Sequence, residues 1–156
     1  MASSVALDDP VAQSLLHSTN PARLAYVWRD GTPRVVPIWF HWNGSDIVMG
    51  TPADAPKVEA LRRSPSVAIT IDGNDWPHEV LILRGTARIE VVEGITDEYA
   101  ASAERYFGPD GGKQWVAQAG ALVPSMARIS VRPEHVTILD FKTRFPSALA
   151  RRMQPA

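Results

Sequence analysis

The chain has 156 residues, 45% of them apolar and 21% charged, the balance of one soluble domain. That apolar share excludes a disordered chain, the lack of cysteine excludes a disulfide framework, and no apolar run reaches the ~18 residues that span a bilayer. Sixteen Lys and Arg against 17 Asp and Glu leave a net charge of −1, without the basic excess of a nucleic-acid module, so neither nucleic acid nor membrane is expected as a partner.

Met1 to Pro10 carries two aspartates and no basic block, so no secretory leader is expected and the expected setting is the reduced cytoplasm. Val11 to His17 has a short helical pattern that ends at Ser18-Thr19-Asn20-Pro21. Ala22 to Trp28 reads as a strand, and Asp30-Gly31 as a tight turn. Arg34 to Trp42 (RVVPIWFHW) reads as one long strand, apolar and covered on both faces, with Pro37 marking an edge, a bulge or a ligand-facing stretch. Asn43-Gly44 is a strong hairpin signal, and Asp46 to Thr51 returns as a third strand, completing a meander.

Lys57 to Arg63 reads as a short helix, with Asp54 as its expected N-cap and Pro56 in its first turn. Val67 to Ile71 is a strand, Asp72 to His78 an irregular loop, and Glu79 to Val92 one long strand with a bulge at Gly85. Thr96 caps a helix that Gly108-Pro109 ends, and Lys113 to Ala119 forms a further helical turn. Ala127 to Val131 and Val136 to Phe141 are read as a hairpin about Arg132-Pro133-Glu134, and Ser147 to Met153 has weak helical potential. The pattern predicts a single domain over residues 1–156, core about 11–141, mainly β, built as a closed or nearly closed antiparallel barrel.

Familiar catalytic patterns are missing. There is no Gly-x-Ser-x-Gly, no cysteine nucleophile and no His-Glu-x-x-His, and His17, His41, His78 and His135 lack metal-ligand spacing. Asp72 and Asp75 read as solvated turn residues, and Arg144 and Arg151 as solvated. Trp28, Trp39, Trp42 and Trp115 read as core or interface aromatics, Trp76 as exposed at a seam, and His41 and His78 as structural histidines able to donate a proton. One spot suits an anion. A strand ends at Thr51 and a helix starts at Lys57, so a hydroxyl, an ammonium and free helix N–H groups converge there. The bland alternative is a strand-end hydroxyl beside a surface lysine.

DGTPRVVPIWF (Asp30 to Phe40), IVMGTP (Ile47 to Pro52), KVEALRRSPSVAI (Lys57 to Ile69), VLILRGTARIE (Val80 to Glu90) and ARISVRPEHV (Ala127 to Val136) occur in an order and spacing that resembles the flavin-binding split-barrel superfamily related to pyridoxamine 5'-phosphate oxidase. The resemblance implies a six-stranded antiparallel split barrel, of Greek-key type, that pairs as a homodimer with cofactor sites between the subunits. It implies that Val36, Pro37, Ile38 and Trp39 meet the polar edge of a flavin ring, that Met49 and Gly50 lie beside the ribityl chain, and that Thr51 and Lys57 hold the phosphate. Trp76 to His78 of the second subunit, with Trp76 and His78 as the named contacts, would close the site.

The oxidases themselves carry Ser-Arg-Lys where this chain reads Ala55-Pro56-Lys57, and their C-terminal Arg-x-His-Asp-Arg pattern is replaced by Lys142-Thr143-Arg144-Phe145. The Pro-x-Trp-Phe form resembles instead the FMN- or deazaflavin-dependent reductases. The expected function is hydride transfer between FMN and a small, conjugated or carbonyl-bearing substrate, with no particular catalytic side chain. The alternatives are the 8-hydroxy-5-deazaflavin coenzyme, whose polyglutamate tail Lys57, Arg62 and Arg63 would receive, and a non-catalytic module binding flavin or haem, with His41 or His78 as axial ligand. A barrel that has lost cofactor affinity is the remaining alternative.

Overall fold

The computed structural model describes residues 6–145 and 151–153. Its elements are α1 (Pro10–Leu16), β1 (Ala22–Val27), β2 (Pro33–Ile38), β3 (His41–Trp42), β4 (Ile47–Pro52), α2 (Pro56–Arg63), β5 (Ser66–Asp72), β6 (Glu79–Glu93), α3 (Asp97–Leu122) and β7 (Ser125–Asp140). The local grammar explains most boundaries. Asp9 caps α1 by accepting from the Val11 amide at 2.9 Å, and Pro10 opens the helix. Gly31 and Gly44, at φ of 82° and 92°, turn the β1–β2 and β3–β4 hairpins. Thr96 caps α3 by accepting from the Tyr99 amide at 3.3 Å.

The described strands form one antiparallel sheet of seven, in the order β2-β1-β5-β6-β7-β4-β3. The two outermost strands are consecutive in the chain and are joined only by Trp39 and Phe40. Three residue steps separate Ile38 from His41, at most about 11 Å. The sheet therefore curls until its edges nearly meet, and the barrel is split between β2 and β3. Alternate residues of the strands fill its interior, among them Leu24, Met49, Ile69, Leu83 and Ile129, and the helices add Leu16 and Leu61. Each such side chain contributes roughly 1.5–3 kcal/mol of burial.

The structure corrects several expectations. The described sheet has seven strands rather than the six that the resemblance implies; its opening between β2 and β3 agrees with a split, nearly closed barrel. The stretch from Arg34 to Trp42 is two strands interrupted at Trp39 and Phe40, and β2 is largely exposed, with Val35 at 63%. An edge strand has one neighbour, which also explains why Pro33 and Pro37 are tolerated there. No meander forms, because β4 leaves β3 after two paired residues and runs along β7 instead. The expected hairpin at Arg132-Pro133-Glu134 is one continuous strand. Its pairing with β6 jumps from Arg84↔His135 to Gly85↔Pro133, so Glu134 is the extra residue of a bulge. A Cβ at Gly85 would lie 2.4 Å from the Arg132 carbonyl oxygen, so only glycine fits opposite the bulge.

Ala55 rather than Asp54 occupies the N-cap of α2, with no side-chain cap. Gly108, at φ 75°, breaks α3 where expected, but the helix resumes at once and runs on to Leu122. Arg144 is not solvated alone: it pairs with Asp9 at 2.6 Å and with Asp140 at 3.1 Å, tying α1 to the end of β7. In the tail, residues 151–153 are helical, and the rest of the expected helix over Ser147 to Met153 lies outside the described residues.

Candidate functional site

The split creates the site. The β3 pairing with β4 covers only Ile47 and Val48, so the edge of β4 from Met49 onward has no β3 partner and faces the break after β2. β2 likewise pairs only with β1. Two edges with free backbone N–H and C=O groups thus flank one groove. That groove has a volume of about 420 Å³ and is lined by Pro21, Pro37, Ile38, Trp39, Gly50 and Tyr99. Its size falls within the roughly 300–1,000 Å³ of small-molecule sites. Gly50 lets the Tyr99 ring lie close: a Cβ there would come within 3.2 Å of it, so the ring would have to give way.

The next residue of β4 turns the other way. Thr51, 4% exposed, shares its face with Ile47 and Met49, and its hydroxyl accepts a 3.0 Å hydrogen bond from Lys57 Nζ. Among the described residues no carboxylate reaches Lys57, and burial alone pushes its pKa below the ordinary lysine value. A half-buried ammonium with only a neutral partner is poised for an anion. Gly50, which lines the groove, and Thr51, which binds Lys57, are consecutive residues of β4 whose positions face opposite sides of the strand.

The wall opposite the barrel is α3. Trp39 stacks on Tyr106 with ring centroids 4.7 Å apart and planes at 14°, and it also meets Tyr99 at 5.6 Å, Phe107 at 5.4 Å and Trp115 at 5.9 Å. The Trp115 indole N–H donates to the Tyr99 hydroxyl at 3.0 Å. Ser102 Oγ donates to the Phe40 carbonyl at 2.9 Å, and the Arg105 guanidinium donates to the same oxygen while lying over the Phe40 ring. The helix therefore grips the two-residue link that holds the barrel edges apart. Glu98, in the first turn, pairs with Arg128 of β7, and that pairing holds its carboxyl below the usual range. His41 lies near Glu98 and Arg105, and burial, followed by the Arg105 charge, lowers its pKa.

Of the residues expected from the sequence, Pro37, Ile38, Trp39 and Gly50 line one groove, and Thr51 and Lys57 form one pair. Val36 is half-buried against the core, and Met49 is fully buried within it. Arg62 and Arg63 are exposed, about 140° and 240° around α2 from Lys57 at 100° per residue, and do not join it. Trp76 is 70% exposed on the β5–β6 loop, where its ring meets His78 at 5.5 Å and Phe141 at 5.9 Å. Sequence reasoning missed Pro21 and Tyr99. The Thr96 cap located the start of α3, but nothing local said which face of the barrel the helix would cover.

The family model described as pyridoxamine 5'-phosphate oxidase matches residues 9–140. The chain belongs to this family. Among curated proteins none matches the sequence. Solved structures do match. A conserved hypothetical protein from Mycobacterium tuberculosis is 20% identical, with a TM-score of 0.66 over 91% of this chain and 86% of that one. A structure described as an F420 reductase is 25% identical, with a TM-score of 0.60 over 80% of this chain and 94% of that one. HutZ, the haem storage protein from Vibrio cholerae, is 16% identical, with a TM-score of 0.61 over 83% and 93%. The first and last of these share the family fold with this chain, while what they bind is theirs. Among the described residues no helix is long and apolar enough to cross a membrane.

Proposed function

We propose that this protein is a cytoplasmic flavin-dependent oxidoreductase, working as a homodimer, that transfers hydride between a phosphorylated flavin and a small conjugated or carbonyl-bearing substrate. One observation carries the reading: a groove between two free sheet edges is lined by Gly50, and the next residue of the same strand, Thr51, binds a half-buried lysine that has no carboxylate partner among the described residues. The residues fit the group. The free edges of β2 and β4 offer backbone hydrogen bonds to a ring's polar rim, Trp39 and Tyr99 offer an aromatic wall, and Thr51 and Lys57 offer a phosphate seat.

When bound, the flavin supplies the hydride chemistry. The chain orients the ring through backbone groups near Pro37 to Trp39, shields it from water with α3, and anchors the phosphate at Lys57 Nζ. No side-chain acid is assigned, since hydride transfer to or from such a ring requires none. FMN is favoured over the polyglutamyl deazaflavin coenzyme because Arg62 and Arg63 leave the face of Lys57 and provide no cationic track for a polyanionic tail. The F420 reductase match makes that coenzyme the second reading. A storage or sensing role would use the same groove without turnover.

Titrating FMN into the purified chain, followed by flavin fluorescence and by light scattering, tests the reading. The expected result is a dimer that binds FMN at micromolar levels. A monomer into which neither FMN nor the deazaflavin titrates overturns it.

A further inference from the structure

We infer that a second groove, formed on α3 beside the ring groove, binds the substrate, and that the substrate is an uncharged aromatic carbonyl compound whose oxygen accepts a hydrogen bond from the Tyr99 hydroxyl. The inference rests on the flavin reading above and names the class of substrate that its site takes. After the break at Gly108, the second half of α3 folds back against the first: a Cβ on Gly112 would lie 2.7 Å from the Glu104 backbone. This close packing brings Trp115 to Tyr99 and to Phe107. Phe107, Gly111, Gln114, Trp115 and Gln118 line a groove of about 350 Å³, within the range of small-molecule sites.

The two grooves share a wall. Trp39, which lines the ring groove, meets Phe107 and Trp115 of the second with ring centroids 5.4 and 5.9 Å apart. Tyr99 joins them: its side chain lines the ring groove, and its hydroxyl accepts from the Trp115 indole N–H at 3.0 Å. That bond occupies an acceptor position of the oxygen, and among the described residues none accepts the hydroxyl's own proton. A proton so placed suits a carbonyl oxygen. Phe107 and Trp115 are 49% and 39% exposed, and a flat ring laid on them removes aromatic surface from water. Gln114 and Gln118, one turn apart, offer neutral amides beside them. No residue lining either groove is charged, so a charged substrate would find no partner there.

Calorimetric titration of the full chain, with and without saturating FMN, tests the assignment with acetophenone, toluene and benzoate as probes. Acetophenone is expected to bind about threefold to tenfold more tightly than toluene, the worth of one neutral hydrogen bond, and benzoate more weakly than either. Tyr99→Phe keeps the ring and is expected to bring acetophenone to the affinity of toluene while leaving toluene unchanged. Phe107→Ala alters an exposed position and is expected to weaken acetophenone and toluene alike. A benzoate affinity equal to that of acetophenone, a native acetophenone-to-toluene ratio in Tyr99→Phe, or a Phe107→Ala change that dissociates a dimer while leaving probe affinity unchanged overturns the substrate site. The FMN titration is read separately: a chain that passes these tests but binds no FMN retains the ligand site and loses the flavin reading, and one that binds FMN but fails them loses the site alone.

Discussion

Replacing Lys57 with alanine separates the phosphate seat from the ring groove. Lys57 Nζ makes a 3.0 Å hydrogen bond to Thr51 Oγ1 and has no carboxylate partner among the described residues, so its charge is available to a ligand. Two unit charges at 4 Å attract by about 1 kcal/mol in water and about 4 kcal/mol at an effective dielectric near 20. A half-buried ammonium lies between these limits. A charge-assisted hydrogen bond is worth about 1.5–3 kcal/mol by a separate measure. Lys57→Ala should therefore weaken FMN binding by about tenfold to a hundredfold.

Riboflavin, which has the ring but no phosphate, should bind the variant as it binds the native chain. The pH dependence has a definite sign. Burial lowers the Lys57 pKa, so the ammonium is lost at a lower pH than in an ordinary lysine near 10.5. FMN affinity should fall as pH rises toward that value, and the alkaline fall should vanish in Lys57→Ala. The assay is a fluorescence titration with both ligands across that range. An FMN affinity within twofold of the native chain, or an equal loss for riboflavin, refutes the reasoning.

Gly85→Ala should destabilise the fold by about 3 kcal/mol, the upper end for an overpacked site, because the new methyl would meet backbone oxygen that cannot move aside; urea unfolding measures it. Thr96→Ala should cost about 1 kcal/mol through the lost N-cap of α3, read as a lower thermal midpoint. Arg144→Ala should lower stability at neutral pH, and the deficit should shrink in acid. The Arg144 hydrogen bond leads in holding the Asp9 carboxyl below its ordinary value, and hydrogen bonds from Thr143, Lys142 and Arg144 hold Asp140 lower still. The stabilisation they give is present above the unfolded-state value of 3.8 and is lost as pH falls through the lower folded values. Thermal melts of both proteins from neutral pH down to acid check the trend.

What could be read from the sequence was what is decided locally. Asn43-Gly44, the Thr96 cap, the break at Gly108 and an irregularity of the strand at Gly85 each follow from the chemistry of a few neighbouring residues. Pairing over distance was not local. Nothing near Ile47 to Pro52 specifies β7 as the partner, and nothing near Pro133 distinguishes a bulge in a continuous strand from a turn. The same division holds for the site. Thr51 and Lys57 are joined by five residues, and a strand end leading into a helix brings such residues together in many folds. Pro37, Ile38 and Trp39 were expected at a ligand site only through the family resemblance, and they line the groove. Tyr99 and Pro21 reach the groove only because the sheet curls and α3 lies across the split.

The central claim is that the flavin lies in the split between the free edges of β2 and β4. Backbone hydrogen exchange of the full chain with and without saturating FMN tests it most directly. The account predicts added protection at Ile38, Trp39, Gly50, Thr51 and Lys57, and none at the β3–β4 turn around Gly44 and Ser45. Protection confined to other elements, with Ile38 to Trp39 and Gly50 to Thr51 unchanged, would contradict it.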